Sequence, residues 1–146
     1  MENKRYKPLL DKLFFIIWVP TFVIMLALTV VPIALSFYLP LLISLLVTDV
    51  FVFYFMVSPL FGYVELGERS VLIKFGFILK REIPYEKIRG FSRERKFYAD
   101  SMLSLKNALS HVNIKYNKFD VVSVSVIDGD GMINEIEARL KNKEEL

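Results

Sequence analysis

Between Lys12 and Glu65 the chain carries a single charged side chain, Asp49. A helix needs about 20 apolar residues to cross the hydrocarbon of a bilayer. The tract from Leu13 to Val64 is too long for one crossing and suits two joined by a tight turn. The expected arrangement is a transmembrane hairpin with crossings over 13–31 and 38–60. Pro32 and Pro40 bracket the turn, because proline lacks a backbone donor and disturbs a helix interior. Pro20 kinks the first crossing, and Pro59 with Gly62 ends the second. A secretory signal peptide would share the basic start, but its apolar core is only about 7–15 residues long and is not followed at once by a second apolar run.

Lys4, Arg5, Lys7 and Lys12 precede the first crossing, and Lys74, Lys80 and Arg81 follow the second. The positive-inside tendency therefore puts both termini in the cytoplasm of a multi-pass cell-membrane protein. Trp18 at one boundary and Phe37 with Tyr38 at the other suit interfacial aromatic belts. Asp49 falls mid-crossing, where a carboxylate costs about 2.5–3.5 kcal/mol. Its depth matches Ile24, which makes Thr21 and Thr29 candidate donors, with Ser44 and Thr48 on its own helix. Such a residue serves a relay or a polar contact between hairpins, or is neutralised locally. One acid without a second ionisable group makes a poor transport path.

From Glu65 onward there are 15 Lys and Arg against 13 Asp and Glu, and nothing further could span lipid. The chain thus divides into a basic N-terminus (1–12), a hairpin (13–61) and one small water-facing domain (62–146). About 80 residues support one modest core. The overall charge of +3 does not suggest a nucleic-acid partner. The absence of cysteine excludes disulfides and thiolate metal sites.

Within the domain, Tyr63–Leu66, Ser70–Phe75, Phe77–Ile83 and Ile88–Arg95 alternate as strands. Turns fall at Gly67-Glu68-Arg69, Gly76 and Pro84-Tyr85-Glu86. After an irregular stretch, His111–Tyr116 and Phe119–Ile127 pair around Asn117-Lys118, although that dipeptide lacks the glycine of favoured hairpin turns. Val122, Val124 and Val126 point to one face and Ser123 and Ser125 to the other, which predicts one buried and one wet face. Met132, Ile133, Ile136 and Leu140 recur at helical spacing behind a cap at Asp128 or Asp130.

Tyr63-Val64-Glu65, Val71-Leu72-Ile73-Lys74-Phe75-Gly76, the run from Arg81 to Ile88 containing Ile83-Pro84-Tyr85, Ser104 to Ser110 with Ala108-Leu109-Ser110, and Val112 to Tyr116 together resemble the bacterial pleckstrin-homology-like (PH-like) domains of the YyaB-like family. The resemblance covers nearly all of the chain beyond Gly62. It implies an α+β domain, an antiparallel half-barrel closed by a C-terminal amphipathic helix, following a membrane α-helical hairpin. Where a Ser-Pro opening into the last helix is expected, the chain has Asp128-Gly129-Asp130-Gly131. The resemblance implies a membrane-associated bacterial protein and brings no catalytic residues with it.

Asp128-Gly129-Asp130-Gly131 does not make a calcium loop, because an EF-hand needs an oxygen ligand at Met132 and glycine at Ile133. The glycines lack dinucleotide-loop spacing. Ser110-His111 has no identifiable orienting carboxylate, and a lone histidine cannot build a metal site without carboxylates around it. No metal or cofactor is expected, and no enzymatic activity. The basic residues Lys80, Arg81, Lys87, Arg89, Arg93, Arg95 and Lys96, offset by Glu82, Glu86 and Glu94, form the candidate surface for anionic lipid headgroups. The expected role is a binding or assembly module on the bilayer, with other membrane proteins or further copies of itself as partners. The alternative is a small membrane effector or immunity-type protein acting through its hairpin.

Overall fold

The computed structural model describes residues 3–35, 38–101 and 104–144. Helix α1 spans Lys12–Ala34 and α2 spans Leu39–Val57, followed by a 3-10 turn at Ser58–Phe61. The expected turn residue Phe37 lies outside the described residues. Asp11 starts α1 as its N-cap, with its side chain accepting from the Phe14 N–H. Pro40 sits in the first turn of α2, where a missing N–H is harmless. The two helices pack antiparallel, with Phe22 and Phe53 ring centroids 5.5 Å apart. Both are long and apolar enough to cross a membrane, and only 11% of the most apolar stretch of each is buried. A helix inside a soluble core would be mostly buried, whereas here Ile16, Val23, Ile24, Val50 and Phe51 all face outward.

The remainder folds into two antiparallel sheets and a helix, without closing a barrel. The first sheet runs β1 (Lys4–Tyr6), β2 (Tyr63–Leu66), β3 (Ser70–Lys74), β4 (Lys80–Pro84). The second runs β5 (Ile88–Arg95), β6 (Ser110–Tyr116), β7 (Asp120–Val124). Helix α3 covers Gly129–Glu144. Val64, Leu66, Val71, Ile73 and Ile83 from the first sheet meet Ile114, Val122 and Val124 from the second, and Met132 and Ile136 of α3 complete the core.

β1 is the element the sequence does not announce. Lys-Arg-Tyr is too short to show alternation, and its partner lies 60 residues on: Lys4 pairs with Leu66, Arg5 with Glu65, Tyr6 with Val64. The basic N-terminus is therefore part of the folded domain. Beyond β1 the same segment crosses to the second sheet. Leu9 N–H donates to Ser125 O at 2.8 Å, Ile127 N–H donates to Lys7 O at 3.1 Å, and Pro8 bridges Val126. Residues 4–11 stitch the two sheets together.

Other boundaries shift for local reasons. The third expected strand starts at Lys80 rather than Phe77, because Gly76 takes φ +138° and Phe77–Leu79 form an exposed turn. Asn117 supplies the left-handed residue of the β6–β7 turn at φ +50°, as asparagine tolerates. Asp128 caps α3, its Oδ1 accepting the Gly131 N–H at 2.8 Å. The expected wet face of β7 is not wet. Ser123 and Ser125 are buried: Ser123 Oγ donates to Asn113 Oδ1, Ser125 Oγ donates to Ser110 O, and Leu105 exchanges backbone hydrogen bonds with both along the free edge of β7.

Candidate functional site

The hairpin and the domain meet in a continuous joint. Ser58 Oγ donates to Phe75 O at 3.0 Å, and the Phe61 and Phe77 rings stack at 4.5 Å. Gly76 passes so close that a Cβ there would sit 1.6 Å from Ser58 Oγ. From the other helix, Asp11 Oδ2 accepts the Leu109 N–H at 2.9 Å. Between these contacts lies a cavity of about 370 Å³ lined by Phe14, Trp18, Tyr54, Phe75, Lys106 and Asn107. Burial lowers the pKa of Lys106, whose ammonium donates to Phe97 O at 2.9 Å. Around the joint Phe61, Phe77, Ile78, Leu79, Phe97 and Tyr98 are exposed, an apolar rim at the level where the helices leave the domain.

The seven basic residues are not gathered into one patch. Lys80 follows the rim residue Leu79, and Arg95 with Lys96 precedes Phe97. Lys87 lies at the opposite end of β5, where its carbonyl accepts from Asn117 in the β6–β7 turn, and Arg89 follows it. Three of the seven have partners of their own. Arg93 pairs with Asp130 at 2.8 Å, Lys96 with Glu94 at 2.6 Å, and Arg81 reaches the Tyr116 hydroxyl. Lys80, Arg95 and Lys96 stand at the rim, Lys96 in its pair with Glu94.

In the hairpin, Asp49 and Thr29 are buried, at 6% and 2% exposure. Among the described residues neither Asp49 oxygen has a hydrogen-bond partner, and nor does the Thr29 hydroxyl. Thr21 donates to Ile17 O, Thr48 to Ser44 O, and Ser44 to Leu41 O. Every candidate donor but Thr29 thus spends its hydroxyl on its own helix, as serine and threonine readily do.

A second polar concentration lies on one face of β5, β6 and β7, beside Asp100. The β5–β6 register sets Glu94 directly opposite His111 and Ser92 opposite Asn113, and β7 adds Ser123 beside Asn113. Ser123 Oγ donates to Asn113 Oδ1 at 2.6 Å, and Asn113 Nδ2 donates to Asp100 Oδ2 at 2.6 Å. His111 is buried, its Nδ1 3.0 Å from Leu109 O and its Nε2 without a partner among the described residues. The sequence shows His111 without a carboxylate. The 14 residues from Lys96 to Leu109 between β5 and β6 leave the register open, and so hide Glu94 and Asp100.

Comparison with protein families matches residues 63–139, just over half of the chain, to the family described as Bacterial PH domain. The chain belongs to that family. No curated protein and no solved structure matches it.

The matched PH domain begins at β2 and ends within α3, so β1 lies outside the matched segment and on the far side of the hairpin. The late departure from the resembled pattern at Asp128-Gly129-Asp130-Gly131 is accommodated as a capped helix start. A Cβ on Gly131 would lie 2.1 Å from Asp128 Oδ2, so the cap needs glycine there.

Proposed function

We propose that the protein is a membrane-anchored PH module that acts by binding or assembly at the cytoplasmic face of the bacterial cell membrane. One observation carries this reading: β1, which precedes the hairpin, pairs with β2, which follows it. Both ends of the hairpin are then on one side of the bilayer, and the domain is held against the leaflet at two attachment points rather than one. Cleavage of the first helix as a signal sequence would remove a strand of the sheet. The apolar rim enters the interfacial layer, and Lys80, Arg95 and Lys96 stand behind it. Each such cation near an anionic leaflet contributes about 1 kcal/mol.

The chain has no cysteine, which permits a clean topology test. Tyr38→Cys at the hairpin turn is expected to react with an impermeant maleimide in intact cells, and Lys118→Cys at the distal end of the PH domain only after lysis. Labelling of both positions from one side, or a full-length protein that stays monodisperse in the aqueous fraction without detergent, overturns the reading.

Asp49 favours a second reading, a small membrane effector whose hairpin is the active element. A buried carboxylate without a partner is unfavourable in lipid and is usually retained for a function. Expression of residues 1–62 alone separates the two: restoration of a deletion phenotype by the hairpin would remove the binding-module role.

A further inference from the structure

We propose that Glu94, Asp100 and His111 form a site for one divalent first-row transition ion, of which zinc suits the donor set best. One ring nitrogen of His111 and one oxygen of each carboxylate lie within 4.8 Å of one another. For three atoms so spaced, some point lies within about 2.8 Å of all of them, and small side-chain rotations bring that to the roughly 2.0–2.2 Å of zinc–nitrogen and zinc–oxygen bonds.

The histidine points to an ion rather than a chance acidic cluster. His111 is 4% exposed, and a buried polar atom without a partner is rare in folded proteins. Its Nδ1 stands 3.0 Å from Leu109 O, a carbonyl that can only accept, so Nδ1 carries the proton and Nε2 presents a lone pair. Among the described residues that lone pair has no hydrogen-bond donor. A ligating histidine has this arrangement, its other nitrogen bonded to a backbone carbonyl.

The carboxylates are oriented as well. Asp100 is held by Asn113 Nδ2, itself fixed by Ser123, a buried chain reaching across β6 and β7. Glu94 is placed beside His111 by its cross-strand position, and Lys96 lies 2.6 Å from its Oε2. One nitrogen and two oxygen donors suit zinc better than magnesium or calcium, which favour all-oxygen shells. Because Asp100 is exposed, the remaining coordination position opens to water.

The test uses the full-length protein in detergent, without a histidine tag, stripped with chelator and dialysed against zinc chloride. One equivalent of zinc per chain is expected, together with a rise in melting temperature. Asp100→Asn, at an exposed position where the Asn113 hydrogen bond can persist, should weaken binding at least tenfold, as should Glu94→Gln. Lys96→Met should strengthen it by removing a competing cation. His111→Gln should abolish it, and the Asp100 variant keeps the test decisive if that chain fails to fold. Absence of stoichiometric zinc on the wild type, or wild-type affinity in both carboxylate variants, overturns the proposal.

Discussion

The Asp11 carboxylate accepts the Leu109 backbone N–H at 2.9 Å across 98 residues of sequence, while its other oxygen caps α1 through Phe14 N–H at 3.2 Å. One side chain thus starts the first helix and pins the backbone at Leu109 to it. Asp11→Ala removes a cap worth about 0.5–2 kcal/mol and leaves the Leu109 N–H unpaired, a further cost of about 1–3 kcal/mol. The expected outcome is a lower melting temperature and faster amide exchange at Leu109. Unchanged exchange there would mean that the cap alone matters.

The segment before the hairpin should be needed for the PH domain to be stable. Tyr6 is 5% exposed, and burying such a side chain contributes about 1.5–3 kcal/mol. Without β1, the β2 edge is also left open to other chains. A fragment of residues 62–146 is expected to unfold at lower urea than residues 1–11 joined to 62–146 by a short glycine-serine linker. Equal midpoints would show that β1 contributes nothing.

Gly76→Ala should loosen the seat of the hairpin. It imposes φ +138° on a residue with a Cβ, a strain of about 1–3 kcal/mol, and drives that Cβ into Ser58 Oγ. In a double-mutant cycle with Ser58→Gly, part of the loss should be recovered, because the steric part disappears and the backbone strain stays. Strict additivity of the two substitutions would place the cost wholly in the backbone.

Tyr85 provides a pH test. Burial raises its pKa above 10.0, with the Arg139 cation acting in the opposite direction. A folded-state pKa above the unfolded one gives stability that is present below pH 10 and lost as the pH rises through the folded value. The phenol donates to Gly67 O at 2.9 Å, a carbonyl that Arg139 Nη1 also reaches at 2.7 Å, so Tyr85→Phe should cost only about 1 kcal/mol at neutral pH. Urea unfolding from pH 8 to 11 should show the wild-type advantage shrinking above pH 10. A constant difference across that range would refute the linkage.

Asp49→Leu should insert in membranes at least as well as wild type and make the hairpin harder to unfold, since it removes an unpartnered acid at a depth where ionised carboxylates cost about 2.5–3.5 kcal/mol. Asp49→Asn should preserve insertion and change the oligomeric state. Reduced membrane integration of the leucine variant would reveal a stabilising partner for the carboxylate.

Much of the fold is legible along the chain because its signals are local. β5 spans Ile88–Arg95 as alternation predicts, and Met132, Ile133, Ile136 and Leu140 of α3 meet the core as their spacing predicts. What misleads is distance. Ser123 and Ser125 alternate like a solvated face, yet they are buried with Asn113 and Ser110 as partners and Leu105 paired along the β7 edge, and alternation cannot report neighbours that return from elsewhere. The basic run from Lys80 to Lys96 looks like one patch in sequence, but its two ends meet at the rim while Lys87 and Arg89, in its middle, lie at the opposite end of β5. Arg139 of α3 is buried despite its charge, donating to the Leu66 and Gly67 carbonyls, which lie more than 70 residues back in the chain.

The residues alone settled that two helices would be apolar over lengths that suit a bilayer, and that a small strand-rich domain capped by a helix would follow. Both depend on hydrophobic burial with short periods, which neighbouring side chains already encode. Only the tertiary structure made residues 4–6 a strand, set Asp11 against Leu109 and set Glu94 with Asp100 around His111. Those pairings bring His111, Val64–Leu66 and Leu109 to partners 11 to 98 residues away, where register and backbone hydrogen bonding, rather than side-chain pattern, select the partner.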